Sequence, residues 1–304
     1  MLGHNPGMSL QINTAEVLTP PAPSASVMVL RDGTQGLEVL MVKRHGNSKV
    51  LGGVYVFPGG KLDAQDCQVR ADLLDQTPQT LRQALGEPDL DEATACGLHV
   101  AALRETIEEC GLFLHGGHDP RLPEQMRLRL ETGQSFLAAA QAMGLRLQTR
   151  LIRPWSRWIT PRVPSVSDRR FDARFFVAIA PSDHAPLEHT HEVTETVWLR
   201  PESALRQYWE LQLGLVPAQI FSLMQLAQHG SADAVLRQAQ TRAPLHIEPQ
   251  PLDLSGQRVV CYPGDPKHPV RKPAWDGPTR LTWRNQRFEP EGGLDALLRK
   301  PLVA

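Results

Sequence analysis

Arg104-Glu105-Thr106-Ile107-Glu108-Glu109-Cys110-Gly111-Leu112 packs four charged side chains into six residues of a predicted helix. Residues three and four apart share a helix face, so Glu105 neighbours both Glu108 and Glu109. Three carboxylates on one turn repel each other unless something positive sits among them. A hard divalent cation meets that need, because Mg2+ and Mn2+ take oxygen ligands. Arg104 stands four residues before Glu108 and is spaced to pair with and orient a carboxylate. Taken alone, the same pattern is more often a solvated charged face.

The helix is predicted from about Glu92 to Cys110. Asp91 suits the N-cap, and Gly111 is able to take the positive φ of a C-terminal stop. Ala93, Gly97, Val100, Leu103 and Ile107 recur at helical spacing and predict one buried face. Upstream, Ser26–Leu30, Leu37–Lys43 and Val54–Phe57 read as strands, the last stopped by Pro58-Gly59-Gly60-Lys61. Glycines at a strand end let the backbone approach a metal or phosphate closely. Ala71–Leu85 has room for a helix. Downstream, Pro123–Leu130 and Phe136–Met143 read as helices, and Trp155–Thr160, Phe171–Ala180 and Val193–Leu199 as strands. Helices follow from Pro201 to about Leu211 and from Pro217 to about His229. Beyond Gly230 the chain turns Pro-rich, with short strands at Val259–Tyr262 and Arg280–Trp283.

Gly60 and the segment from Arg104 to Leu112 together resemble the two halves of the Nudix box, GX5EX7REUXEEXGU, with U aliphatic. Gly60 and Arg104 are 44 positions apart where the uninterrupted box needs 14, so about 30 residues are inserted. Asp66 holds the place of the early acid when counted forward from Gly60. Counting back from Arg104 reaches Cys96 instead, so that position lies between Asp66 and nothing. Thr106 stands where the pattern has an aliphatic residue.

A split box of this kind resembles the coenzyme A diphosphatase-like branch, related to mammalian Nudix motif 19. The run from Leu40 through Arg44, Lys49 and Gly53 to Phe57-Pro58-Gly59-Gly60 is similar to the motif LLTxR(S/A)x3Rx3Gx3FPGG. Val42, His45 and Lys49 depart from it. Trp158-Ile159-Thr160-Pro161, Arg169 to Phe176, and Glu192, Glu195 and Trp198 also resemble this branch.

The resemblance implies an α/β (α+β) fold: a Nudix-type α/β/α sandwich with a mixed central sheet. It implies an arm over 1–25, a hydrolase domain over 26–230 with an insertion at about 67–95 beside the site, and a C-terminal extension over 231–304. It implies metal-dependent cleavage of a diphosphate linkage. The expected substrate is coenzyme A or an acyl-CoA, cut to adenosine 3′,5′-bisphosphate and a phosphopantetheine. An ADP-ribose or NADH pyrophosphatase is the alternative, and a non-catalytic nucleotide sensor a more distant one. Glu105, Glu108 and Glu109 would hold Mg2+ or Mn2+, joined by the Gly59 carbonyl and by Glu192 or Glu195, with Arg104 orienting them. Arg44, Lys49, Gly59, Gly60 and Lys61 would bind substrate.

Other features receive plainer readings. Trp155 and Trp158 are expected in the core, although either ring could stack on a base. Alternation puts Arg170, Asp172 and Arg174 on one strand face, where internal salt bridges compete with phosphate contacts. His184, His189 and His191 read as loop residues. The formal charge of −1 gives no electrostatic reason to expect nucleic acid or an anionic membrane. No apolar run is long enough to span a bilayer, and no secretory or Ser-Lys-Leu address is visible. Cys67, Cys96, Cys110 and Cys261 lack metal or disulfide spacing, which fits a reducing cytoplasm. Nothing in the sequence speaks against a homodimer.

Overall fold

A computed structural model describes residues 13–45, 53–116, 119–165, 168–182, 185–187, 190, 193–254 and 256–299. The chain opens with four strands, β1 (Ala22–Gly33), β2 (Gly36–Arg44), β3 (Tyr55–Val56) and β4 (Gly59–Lys61). Helices α1 (Pro78–Leu85), α2 (Glu92–Cys110), α3 (Leu122–Glu131) and α4 (Phe136–Ala142) follow. Three more strands come next, β5 (Ile152–Ile159), β6 (Phe171–Ile179) and β7 (Val193–Leu199). They lead to α5 (Pro201–Trp209), α6 (Pro217–Leu226) and α7 (Ala232–Thr241). The C-terminal part holds β8 (Leu245–Ile247), β9 (Gln250–Leu254), β10 (Gln257–Cys261), β11 (Arg280–Arg284), β12 (Arg287–Glu289) and α8 (Gly293–Leu298).

The central sheet runs β3-β2-β1-β6-β5-β8, with β4 on the outer part of β1 and β7 on β2. It is mixed: β1 is parallel to β6 and antiparallel to β2 and β4. Alternation along β1 divides two cores. Ala25, Val27 and Val29 face the layer that contains α2, whereas Met28 and Leu30 face the layer of α5 and α6. The result is the expected α/β/α sandwich, with a separate antiparallel sheet β12-β11-β10-β9 added near the C-terminus.

The helix α2 forms over the predicted residues because both ends are capped. The Asp91 carboxylate accepts from the Thr94 amide at 2.8 Å, and Gly111 stops the helix at φ 70°. Its burial differs from expectation. Ala93 is exposed in the first turn, while every residue from Ala95 to Arg104 is buried, so burial is not confined to one face. The insertion is the reason. Leu81 and Leu85 of α1 share the α2 core, and Cys67 lies so close that a Cβ on Gly97 would meet its Sγ at 2.7 Å. The far end of the insertion is anchored by Glu87, which accepts from Arg174 at 2.6 and 3.0 Å and pairs with Arg157 at 2.8 Å.

The expected boundary at 230 marks no break in packing. β8 pairs in parallel with β5, and α7 places Ala232 and Val235 in the α5–α6 core. Val260, Tyr262, Trp275, Leu281 and Phe288 join the same core.

Candidate active site

Two elements build the site: the last turns of α2 and the short strand β4. β4 is held by pairing Gly59, Gly60 and Lys61 with Ser26, Ala25 and Ser24 of β1. The residues expected to stop the preceding strand form a short strand of their own. They do so because β1 is long enough to pair β2 with one half and β4 with the other.

Both glycines leave room that a side chain would take, from backbone at 59 and from the Glu105 carboxylate at 60. A Cβ on Gly59 would lie 2.4 Å from the Ala25 carbonyl oxygen, inside the strand pairing. A Cβ on Gly60 would lie 2.3 Å from Oε1 of Glu105. The Glu105 carboxylate therefore occupies the room that a side chain at 60 would fill. The Gly59 amide donates to Oε2 of Glu109 at 2.8 Å. The Gly59 backbone thus meets the carboxylate cluster through its amide.

Arg104 is the hub. Its Nη1 donates to Glu105 Oε1 at 2.7 Å and to Glu108 Oε2 at 2.9 Å. Its Nε and Nη2 donate to the two oxygens of Asp66 at 3.0 and 2.9 Å, and Nη2 also reaches the Lys61 carbonyl at 3.0 Å. Asp66 is 2% exposed and also accepts from the Asp63 amide. A bidentate pair fixes the guanidinium plane, and that plane fixes two glutamates. Burial works against the Arg104 charge, but the bonds to Asp66 and the nearby Glu105 and Glu108 outweigh it and hold the guanidinium well above its ordinary range. Burial also pushes the Glu108 carboxyl up, against the pull of Arg104.

A cleft of about 570 Å³ opens on these groups. Glu105, Glu108, Glu109, Arg104, Gly59, Gly60 and Lys61 are in its lining, and so are Trp158, Phe171, Phe175, Gln219 and Arg169. None of the described lining residues comes from 67–95. The insertion lies along α2 rather than beside the cleft, contrary to expectation, because its apolar face is spent on α2 and Glu87 ties it to the sheet.

The remaining candidates fall elsewhere. Lys49, His184, His189, His191 and Glu192 lie outside the described residues. Arg44 ends β2, and its side chain is likewise outside them. Glu195 accepts from the Tyr55 hydroxyl at 2.7 Å and is not among the lining residues. Asp172 bonds Arg157 and Arg174, the internal salt bridges that alternation allowed. Arg170 turns instead to the Thr160 and Thr19 carbonyls. Trp155 and Trp158 are core residues, and Trp158 also presents an edge to the cleft. Sequence reasoning missed Gln219, whose one signal is a polar residue within an apolar helix.

Among the described residues no group of three or more His, Cys, Asp or Glu side chains closes on a single point as they stand. Glu105 and Glu108 turn to Arg104, and Glu109 to the Gly59 amide. The donor set nonetheless suits a hard divalent ion. It is all oxygen and clustered on one turn, and the bare Gly60 backbone leaves space for the Glu105 carboxylate.

A mixed sheet between helical layers, with a glycine strand closed on a carboxylate-bearing helix, is the architecture of a Nudix hydrolase. The NUDT19 Nudix domain family matches residues 12–226, and this chain belongs to that family of diphosphatases. Acyl-coenzyme A diphosphatase NUDT19 of Gallus gallus is 25% identical over 298 residues, covering 83% of this chain and 78% of that protein. Putative nudix hydrolase 7 of Caenorhabditis elegans is 26% identical over 232 residues, covering 75% and 68%. A solved Nudix hydrolase from Alicyclobacillus acidocaldarius matches with a TM-score of 0.57 at 28% identity, covering 74% of this chain and 98% of that one. Nudix hydrolases generally use divalent metal ions. No helix among the described residues is long and apolar enough to cross a membrane.

Proposed function

We propose that this diphosphatase acts on coenzyme A or an acyl-CoA, releasing adenosine 3′,5′-bisphosphate and a phosphopantetheine product. The observation that carries this reading is the cleft. It joins a carboxylate cluster to an aromatic wall in one continuous space, with Lys61 and Arg169 among its lining. A substrate with a diphosphate at its middle and a long, partly apolar moiety on one side fits that division. The curated relatives named as acyl-coenzyme A diphosphatases support it. The departure of Val42 from the coenzyme A motif weighs little against it, since Val42 is fully buried in the core beside α2.

Glu105, Glu108 and Glu109 would hold Mg2+ or Mn2+. Bound there, the ion supplies neutralisation of diphosphate oxygens and activation of water. Arg104 keeps Glu105 and Glu108 in place, and the Gly59 amide keeps Glu109 in place, so the acids are oriented before substrate arrives. Lys61 and Arg169 are placed to meet phosphate charge. A reducing, cytoplasmic setting belongs to the same proposal and is supported by four cysteines that are all free.

The test is turnover of coenzyme A, acyl-CoAs, ADP-ribose and NADH by the purified chain with Mg2+ or Mn2+. Release of adenosine 3′,5′-bisphosphate with preference for the coenzyme A substrates is expected. Turnover of ADP-ribose or NADH alone would replace this substrate with the dinucleotide reading.

A further inference from the structure

The cleft lining holds a buried carboxamide that diphosphate chemistry does not use. Gln219 lies in the first turn of α6 and lines the cleft with Trp158, Phe175 and Ala218. The residue is 6% exposed, and its Oε1 is buried with no hydrogen-bond partner among the described residues. Ser222 stands three residues on, on the same helix face. Its hydroxyl is also buried and without a partner among the described residues.

A buried polar atom without a partner costs free energy, and native chains seldom tolerate one without cause. Among the described residues nothing on or around α6, the Ser222 hydroxyl included, bonds the Gln219 oxygen. Ile220, Phe221 and Leu223 beside it are buried apolar residues. The Trp158 indole N–H is already given to Ser156 at 3.1 Å. The Trp158 ring packs against Phe221 and Trp275, with centroids 6.4 and 6.1 Å away and those two rings 4.5 Å from each other, so it backs onto a closed aromatic cluster. A leucine at 219 would satisfy packing. A carboxamide there calls for a partner beyond the described residues.

We infer that Gln219 is a specificity-determining residue that accepts an N–H from a neutral, flat polar group of the substrate's far moiety. The inference rests on the substrate reading above and assigns one of its contacts. The partner of Oε1 is not the diphosphate, because phosphate oxygens accept hydrogen bonds and would face another acceptor. Two groups of the proposed substrate have the required chemistry: a secondary amide of the pantetheine arm and the exocyclic amine of adenine. Either would lie against apolar surface, where a single hydrogen bond discriminates well.

The experiment compares the wild-type chain and Gln219→Leu, with Mg2+, on three substrates. These are coenzyme A, its hypoxanthine analogue, and an analogue with esters in place of the pantetheine amides. Gln219→Leu should raise KM for coenzyme A roughly tenfold with kcat little changed, the signature of a lost binding contact worth one neutral hydrogen bond. On one analogue the wild type should show the same loss, and Gln219→Leu should add nothing further. That analogue identifies the partner group. Gln219→Met serves if the leucine variant does not fold. An unchanged KM in a folded variant overturns the inference, as does an equal loss on all three substrates. If the wild type cleaves ADP-ribose and not coenzyme A, the substrate reading fails. Gln219 is then tested in the same way on ADP-ribose and its hypoxanthine analogue. Turnover of none of these substrates overturns both.

Discussion

Arg104 grips Asp66 through two bonds, Nε to Oδ1 at 3.0 Å and Nη2 to Oδ2 at 2.9 Å, across the inserted segment. The pair joins the two halves of the interrupted box. Asp66 is the residue reached by counting forward from Gly60, and here it acts on Arg104 rather than on the cleft. Asp66→Asn leaves a buried guanidinium short of one carboxylate. We expect a loss of stability of about 3 kcal/mol in chemical denaturation. Activity should fall on the order of tenfold or more as Arg104 loosens its hold on Glu105 and Glu108. Asp66→Glu should retain more activity than Asp66→Asn, and the reverse order would count against a charge-pairing role.

The two glycines of β4 predict opposite outcomes. A methyl at 59 meets the Ala25 carbonyl and the Ser26 backbone, which cannot move without breaking the β1–β4 pairing. Gly59→Ala should therefore lower the melting temperature or prevent folding. A methyl at 60 meets only the carboxylate end of Glu105, which can swing away. Gly60→Ala should melt within a few degrees of wild type yet lose most turnover. Normal turnover in Gly60→Ala would show that the position of Glu105 is not critical.

His99 sets an acid limit on stability. It is 1% exposed in the middle of α2, donates from Nδ1 to the Ala95 carbonyl at 2.8 Å, and lies edge-on to Phe176. Burial lowers its pKa from 6.5 to about 4. Above pH 6.5 the ring is neutral in both folded and unfolded chain and gives no pH dependence. Between pH 6.5 and about 4 only the unfolded chain takes up the proton, so stability falls as pH falls. Lowering the pH from 7 to 5 should cost about 2 kcal/mol from this residue. Denaturation midpoints of wild type and His99→Gln over that range test it. An equal slope in both proteins would reject His99 as the cause.

The sequence displayed some of this molecule and hid the rest for physical reasons. The bounds of α2 were legible because Asp91 and Gly111 cap it locally. The carboxylate cluster was legible because helical spacing alone brings Glu105, Glu108 and Glu109 together. β4 was hidden because three residues with two glycines have little strand propensity, and their pairing depends on β1 far upstream. β8 was hidden for a similar reason, since its partner β5 lies about 90 residues away in the chain. The burial of α2 from every side was hidden because apolar periodicity reports one face, whereas a second cover came from the insertion. The sequence marks Gln219 only as a polar residue in an apolar helix; that its oxygen lacks a partner is defined by what surrounds it.

The central claim is that the α2 carboxylates perform metal-dependent cleavage of a diphosphate. Glu109 tests it most directly, because its carboxylate is held by the Gly59 amide and not by Arg104. The measurement is kcat/KM of Glu109→Gln with saturating Mg2+ or Mn2+, on whichever diphosphate the wild type cleaves, in a protein shown by circular dichroism to be folded. A fall on the order of a hundredfold or more is expected, the loss of a group that acts on the reacting centre. Near-normal turnover by the folded variant would contradict it.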